Sequence, residues 1–133
     1  MLLVKTTIKP SIIAGLGCFA DEFIKKDTII WQFDPMMDKI FTEEQYKALS
    51  KREQEYIDTY AFVCEGEYFL CIDNARFMNH SSMFFNTYEH GSEQLTLASR
   101  DILPGEELLS NYENFGWDPA DKDWNYTRRN YKG

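Results

Sequence analysis

No stretch of this chain is long and apolar enough to span a bilayer as a helix, and the apolar stub at residues 1–4 runs straight into Lys5, far short of a signal-peptide core. A soluble, intracellular protein is expected. Cysteine is scarce: Cys18, Cys64 and Cys71 are an odd number without CxxC spacing, which gives neither a disulfide framework nor a zinc-ligand set and leaves reduced thiols. Positive charge is also in deficit. With 14 Lys and Arg against 22 Asp and Glu, the net charge is -8, which argues against nucleic acid as a direct partner and permits a basic protein or peptide. The same acidity also serves solubility, and composition does not separate the two readings. Internal repeats, low-complexity tracts and interdomain linkers are missing as well, so 133 residues are expected to make one domain.

What the chain does have is apolar and aromatic surface. Hydrophobic residues at 44% and aromatics at 16% supply enough burial to offset the loss of chain entropy. These aromatics either fill a β-rich core or line a pocket for a cation or a flat ring. The β-favouring run at residues 2–8 predicts a strand that Pro10 and the GLG at residues 15–17 interrupt; further strands are expected at 18–24 and 28–33, separated by a KKD turn at 25–27. Tyr46, Leu49, Tyr56, Ile57 and Tyr60 recur at helical spacing, and Thr42 with Gln45 has capping-box form, which makes residues 42–59 the helix candidate. Ser50 with Glu53 repeats the capping pattern inside it and leaves open one helix or two short helices with a bend. A hairpin is expected over 61–64 and 68–72, with further strands at 95–98 and 107–109. The fold class is mainly β (α+β) with a helical insert. The polar and aromatic stretch at residues 115–133 reads as a lid or a frayed end.

The densest polar cluster is RFMNHSS at residues 76–82, expected just after a strand, where loop clusters often build sites. His80 beside serine, with Asp73 or Cys71 to complete a triad or dyad, suggests hydrolysis on paper. No nucleophile-elbow pattern supports it. Gly15 and Gly17 allow a close backbone approach, but GLG lacks the third glycine and following helix of a dinucleotide fingerprint, so alone it reads as a tight turn.

Taken together and in order, GLGCFA at residues 15–20, RFMNHSS at 76–82 and ASRDILPGEELLSNY at 98–112 resemble the motifs of the SET-domain family of protein lysine methyltransferases, along most of the chain. The resemblance implies several small β-sheets, a short helical insert and a knot-like C-terminal segment. It makes residues 1–113 the domain core and 114–133 an aromatic tail that closes the cofactor site as part of the same domain. The implied methyl donor is S-adenosylmethionine, with no metal. By resemblance, Gly15, Leu16 and Gly17 contact the donor through backbone, Asn79 through its side chain, and His80 largely through its backbone. Arg76 either binds too or forms a structural ion pair. Tyr112 is the implied catalytic residue, its hydroxyl orienting the substrate amine and contacting the methyl group through weak CH to oxygen bonds. Tyr60 resembles a tyrosine of the lysine channel, and Tyr88 is a further channel aromatic or ordinary packing. Trp117, ahead of Phe115 by ring area, would cover the adenine.

This sequence departs from the family pattern at several places. Ser82 stands where many members have Cys, the segment to Asn86 is one residue longer with Phe in place of the usual Pro, and Asn111 replaces a common Asp. The missing Cys fits a metal-free site closed by the tail. The implied substrate is a lysine of a basic protein, histone-like or ribosomal; the alternative is a non-catalytic SET-fold module that binds a basic peptide. A homodimer that completes a groove occurs in small relatives, but no residue here marks an interface.

Overall fold

A computed structural model describes residues 1–64, 66–90 and 94–111. Strand β1 (Thr6–Pro10) pairs antiparallel with β2 (Leu16–Ala20), then follow β3 (Ile29–Gln32), β4 (Lys39–Phe41), helices α1 (Glu43–Ala48) and α2 (Lys51–Tyr60), β5 (Phe62–Cys64) and β6 (Glu67–Leu70). After a short 3-10 helix (Asn74–Phe77) come β7 (Asn79–His80), β8 (Thr87–His90), β9 (Leu95–Ala98) and β10 (Leu109–Ser110). They form four small sheets, ordered β1-β2, β10-β7, β3-β9-β8 and β4-β6-β5. The mainly β architecture with a helical insert is therefore as the sequence implied. No helix among the described residues is long and apolar enough to cross a membrane.

Local chemistry explains most of these boundaries. Each helix opens on a reciprocal capping box, at Thr42 with Gln45 and at Ser50 with Glu53, and extended backbone at Leu49 (φ -68°, ψ 152°) separates them. The hairpin β5-β6 forms as expected, with Phe62 opposite Phe69. The first strand is displaced: Leu2 makes only an isolated bridge to Trp31, and the strand begins at Thr6 and ends at Pro10. Proline is tolerated there because a strand end needs no further ladder N–H. The second strand stops at Ala20, with Ile24 reduced to an isolated bridge to Ile102. At the other end Glu107 forms only a bridge to Phe19, and the last strand falls on Leu109 and Ser110.

Two apolar clusters carry the packing. The first gathers Cys18, Ala20, Ile24, Ile30, Ala98, Ile102 and Leu108 between the N-terminal hairpin and the C-terminal strands. The second, under the helices, gathers Ile57, Ala61, Val63 and Tyr68, with Phe41, Tyr46, Leu49 and Leu70 against it. Cys18 and Cys71 are buried free thiols, and desolvation pushes the Cys18 thiol up to about 12, which makes it inert.

Candidate functional site

Asn79 and His80 lie on β7, directly after the 3-10 helix that carries Arg76 and Phe77, rather than directly after a strand. Strand β10 runs parallel to β7, with Leu109 opposite Asn79 and Ser110 opposite His80. That pairing joins the NHS segment to the end of the GEELLS segment, which the knot-like arrangement requires. Ser81 extends it by donating its N–H to the Ser110 carbonyl at 3.0 Å.

The Asn79 side chain then draws in a third segment. Its Nδ2 donates to the carbonyls of Ala14 (3.0 Å) and Leu16 (3.1 Å) and to Glu107 Oε1 (2.9 Å), so two hydrogens serve three acceptors. Glu107 Oε2 in turn accepts from Ser11 Oγ at 2.9 Å, and Ser11 Oγ accepts from the Ile13 N–H at 2.9 Å. The loop between β1 and β2 is thereby pinned against β7 and against Glu107, just ahead of β10. Gly17 is fixed by this approach, because a Cβ there would meet Glu107 Oε1 at 2.1 Å. Gly15 has another reason: its φ is +47°, and nothing lies within 4 Å of where a Cβ would stand, so backbone is open to a ligand at that point.

Behind this hub, Asn86 is 1% exposed and holds the GEELLS segment. Its Nδ2 donates to the Glu107 carbonyl at 2.8 Å, and its Oδ1 accepts from the Leu109 N–H at 2.9 Å. Thr87 Oγ1 adds a bond to the Leu109 carbonyl at 3.0 Å. Ser11, Glu107 and Asn86 were not among the residues singled out for the site. Glu107 sits inside the quoted GEEL motif and so carried a signal; Ser11 had none beyond its nearness to the glycines.

Arg76, on the 3-10 helix, meets Tyr60, the last residue of α2. The Arg76 guanidinium carbon lies 5.3 Å from the Tyr60 ring centroid and 4.8 Å from that of Phe77, and Nη1 donates to the Tyr56 hydroxyl at 3.3 Å. Among the described residues Arg76 is thus held against aromatic faces. The Tyr60 ring packs edge-on to Phe77 at 5.9 Å. Tyr88 lies on β8 next to Thr87, and by strand alternation turns the other way, donating its hydroxyl to Asp27 at 3.2 Å. Tyr112 and Trp117, like the tail at 114–133, lie outside the described residues.

Chemically, the hub is a concentration of acceptors. Asn79 Oδ1 has no partner among the described residues, and the Glu107 carboxylate and the carbonyls of Ala14 and Leu16 surround the same amide. Such a set suits a cationic ligand with ammonium donors. Among the described residues no group of His, Cys, Asp and Glu is arranged to hold a metal.

A family model described as SET domain matches residues 15–113. Among solved structures, the chain is similar to a Plasmodium falciparum protein assigned as a histone methyltransferase, with TM-score 0.56 and 23% identity over 84% of this chain and 95% of that one. It is also similar to a chain of an active polycomb repressive complex 2 in the stimulated state, with TM-score 0.61 and 22% identity over 82% of this chain and 15% of that one. A humanized mutant of the Chaetomium thermophilum complex gives TM-score 0.60 and 21% identity over 84% of this chain and 15% of that one. At these identities the likeness establishes the fold. Comparison with curated proteins gives no match.

Proposed function

The chain belongs to the SET-domain family of methyltransferases, and from that premise we propose that it is a protein-lysine N-methyltransferase using S-adenosylmethionine on a basic protein, histone-like or ribosomal. The observation that carries this reading is the parallel pairing of β10 with β7, tied to the GLG loop through Asn79. Three segments far apart in sequence meet there, as a donor site requires. S-adenosylmethionine, when bound, supplies an electrophilic methyl group on a sulfonium. The backbone of Gly15, Leu16 and Gly17, the free Asn79 Oδ1, His80 and Trp117 are the residues proposed to hold it.

On the acceptor side the task is to present a neutral amine. A lysine ammonium has a reference pKa of about 10.4, and an aromatic channel that excludes water favours its uncharged form. Tyr60 is the channel residue in this proposal, because its ring packs against Phe77, two residues before the NHS segment; Tyr88 directs its hydroxyl to Asp27. Arg76 fixes Tyr60 and Phe77 in this proposal. Tyr112 follows Asn111, two residues after the β10 strand, and orients the amine for in-line attack. Such positioning contributes up to about 7 to 11 kcal/mol in ideal cases. The net charge of -8 raises encounter rates with a basic protein.

The test pairs calorimetric titration of the full chain with S-adenosylmethionine and tritium transfer to histone and ribosomal protein mixtures. Tyr112→Phe is expected to keep donor binding and lose transfer; Asn79→Ala is expected to lose both. Folded protein that binds no donor at millimolar concentration would sink the reading. Donor or basic-peptide binding without transfer to any lysine would leave the non-catalytic module instead.

A further inference from the structure

Between α2 and the β4-β6-β5 sheet lies an open groove of about 430 Å³. Phe41, Leu49, Ile57 and Leu70 supply an apolar lining that belongs to the second core cluster or packs against it. Tyr56 forms a wall and is 45% exposed. Two cations, Lys39 and Arg52, stand at the groove and are solvent-exposed. Among the described residues neither forms an ion pair: Lys39 Nζ rests 4.9 Å from the Phe41 ring centroid. Glu53 borders the groove too, but its carboxylate accepts the Ser50 N–H at 2.7 Å and so serves the helix start.

Two cations against the one Glu53 carboxylate leave a net positive charge beside an apolar lining, which is unexpected in a chain of net charge -8. A basic substrate would be repelled from this place, whereas a carboxylate would be drawn to it. We propose that this groove docks an acidic segment of a partner protein, which inserts one aliphatic side chain against Phe41, Leu49 and Leu70 and sets carboxylates against Lys39 and Arg52. The wall residue Tyr56 also receives Arg76 Nη1, and its ring centroid lies 4.8 Å from that of Tyr60, so the docked segment would abut the aromatic stack behind the proposed channel. The docking does not depend on methyl transfer and is read by binding alone.

The experiment is fluorescence anisotropy of the full chain with a fluorescein-labelled Gly-Glu-Asp-Leu-Glu-Asp-Gly peptide at low salt. Saturable binding is expected, weakened about tenfold by Arg52→Glu or by Lys39→Glu, and lost when leucine is replaced by alanine or the acidic residues by lysine. Lys9→Glu changes the net charge equally but lies on β1, where Lys9 rests over Phe19; it should leave the affinity unchanged. No saturable binding at millimolar protein, an equal loss with Lys9→Glu, or indifference to the leucine would each overturn the proposal. A sedimentation coefficient that rises with protein concentration, and stops rising in Arg52→Glu, would assign the groove to a second copy of the chain and overturn the partner peptide.

Discussion

Around Asn79 the chain is held by polar side chains that reach across the sequence, whereas around Ile57 it is held by local helix caps and stacked aromatic rings. In the first region Asn79, Asn86, Glu107 and Ser11 bond over separations of 21 to 96 residues. In the second, two capping boxes close within three residues, and Tyr46 donates to Asp58 at 2.5 Å to tie α1 to α2. There the aromatic rings do the rest, with Tyr46 stacked on Tyr68 at 4.3 Å and Phe62 on Phe69 at 5.1 Å. The contrast matters for function. A buried amide network costs much when broken and admits few geometries, which suits a site that must hold a donor in one place. Stacked rings and short helices tolerate adjustment, which suits a surface that receives other proteins.

The largest expected effect comes from Asn86→Ala. It leaves the Leu109 N–H and the Glu107 carbonyl without their side-chain partner, at about 1–3 kcal/mol each, so a loss of about 2–6 kcal/mol is expected in urea unfolding. Donor binding should fall with it, since β10 loses its anchor. Ile57→Ala, at a residue 3% exposed in the other region, should cost about 2–4 kcal/mol through the cavity it leaves. Calorimetry of that variant should show donor affinity within twofold of the parent, roughly 0.4 kcal/mol. If Ile57→Ala weakened donor binding as much as Asn86→Ala, the division into two regions would be wrong.

The same division explains what could be read from the sequence. The second region is legible because its determinants are local: Thr42 with Gln45 and Ser50 with Glu53 announce both helix starts, and the apolar runs flanking residues 65–67 announce the hairpin. The first region was legible only where the motifs stand, at GLG and NHS. Its wiring was not, because a bond from Ser11 to Glu107 or from Asn86 to Leu109 leaves no periodicity in either segment. Asn86 drew notice only as the end of an altered loop, and the Arg76 stack on Tyr60 and Phe77 was missed because nothing in RF distinguishes a guanidinium on aromatic rings from one on a carboxylate.

A middle-sized effect is expected at Glu89, on β8 beside the polar region. Burial pushes its carboxyl up to about 7 from an ordinary 4.5, against the lowering effect of the Thr96 hydroxyl, which donates to it at 2.6 Å. The folded state thus holds this proton more tightly than the unfolded chain does. The stabilisation is complete below about pH 4.5 and is lost as pH rises through about 7. Glu89→Gln keeps a neutral group there, so its stability relative to the parent should climb across that window, by at most about 3 kcal/mol. Urea midpoints that run parallel for the two proteins from acid to neutral pH would remove Glu89 from the account.

The smallest effect is the most useful for testing independence. Ser50→Ala removes the hydroxyl that accepts the Glu53 N–H at 3.3 Å but leaves the reverse bond from the Ser50 N–H to Glu53 Oε2, so the expected loss is about 1 kcal/mol or less. Among the described residues no bond of the Asn79 hub touches α2, so donor affinity should not change. Combined with Asn86→Ala, the two losses should add within about 0.5 kcal/mol, as they do for sites that share no partner. A larger deviation would mean that the helical region and the amide network unfold as one coupled unit, and the tolerance ascribed to the aromatic side would then be available to the donor site as well.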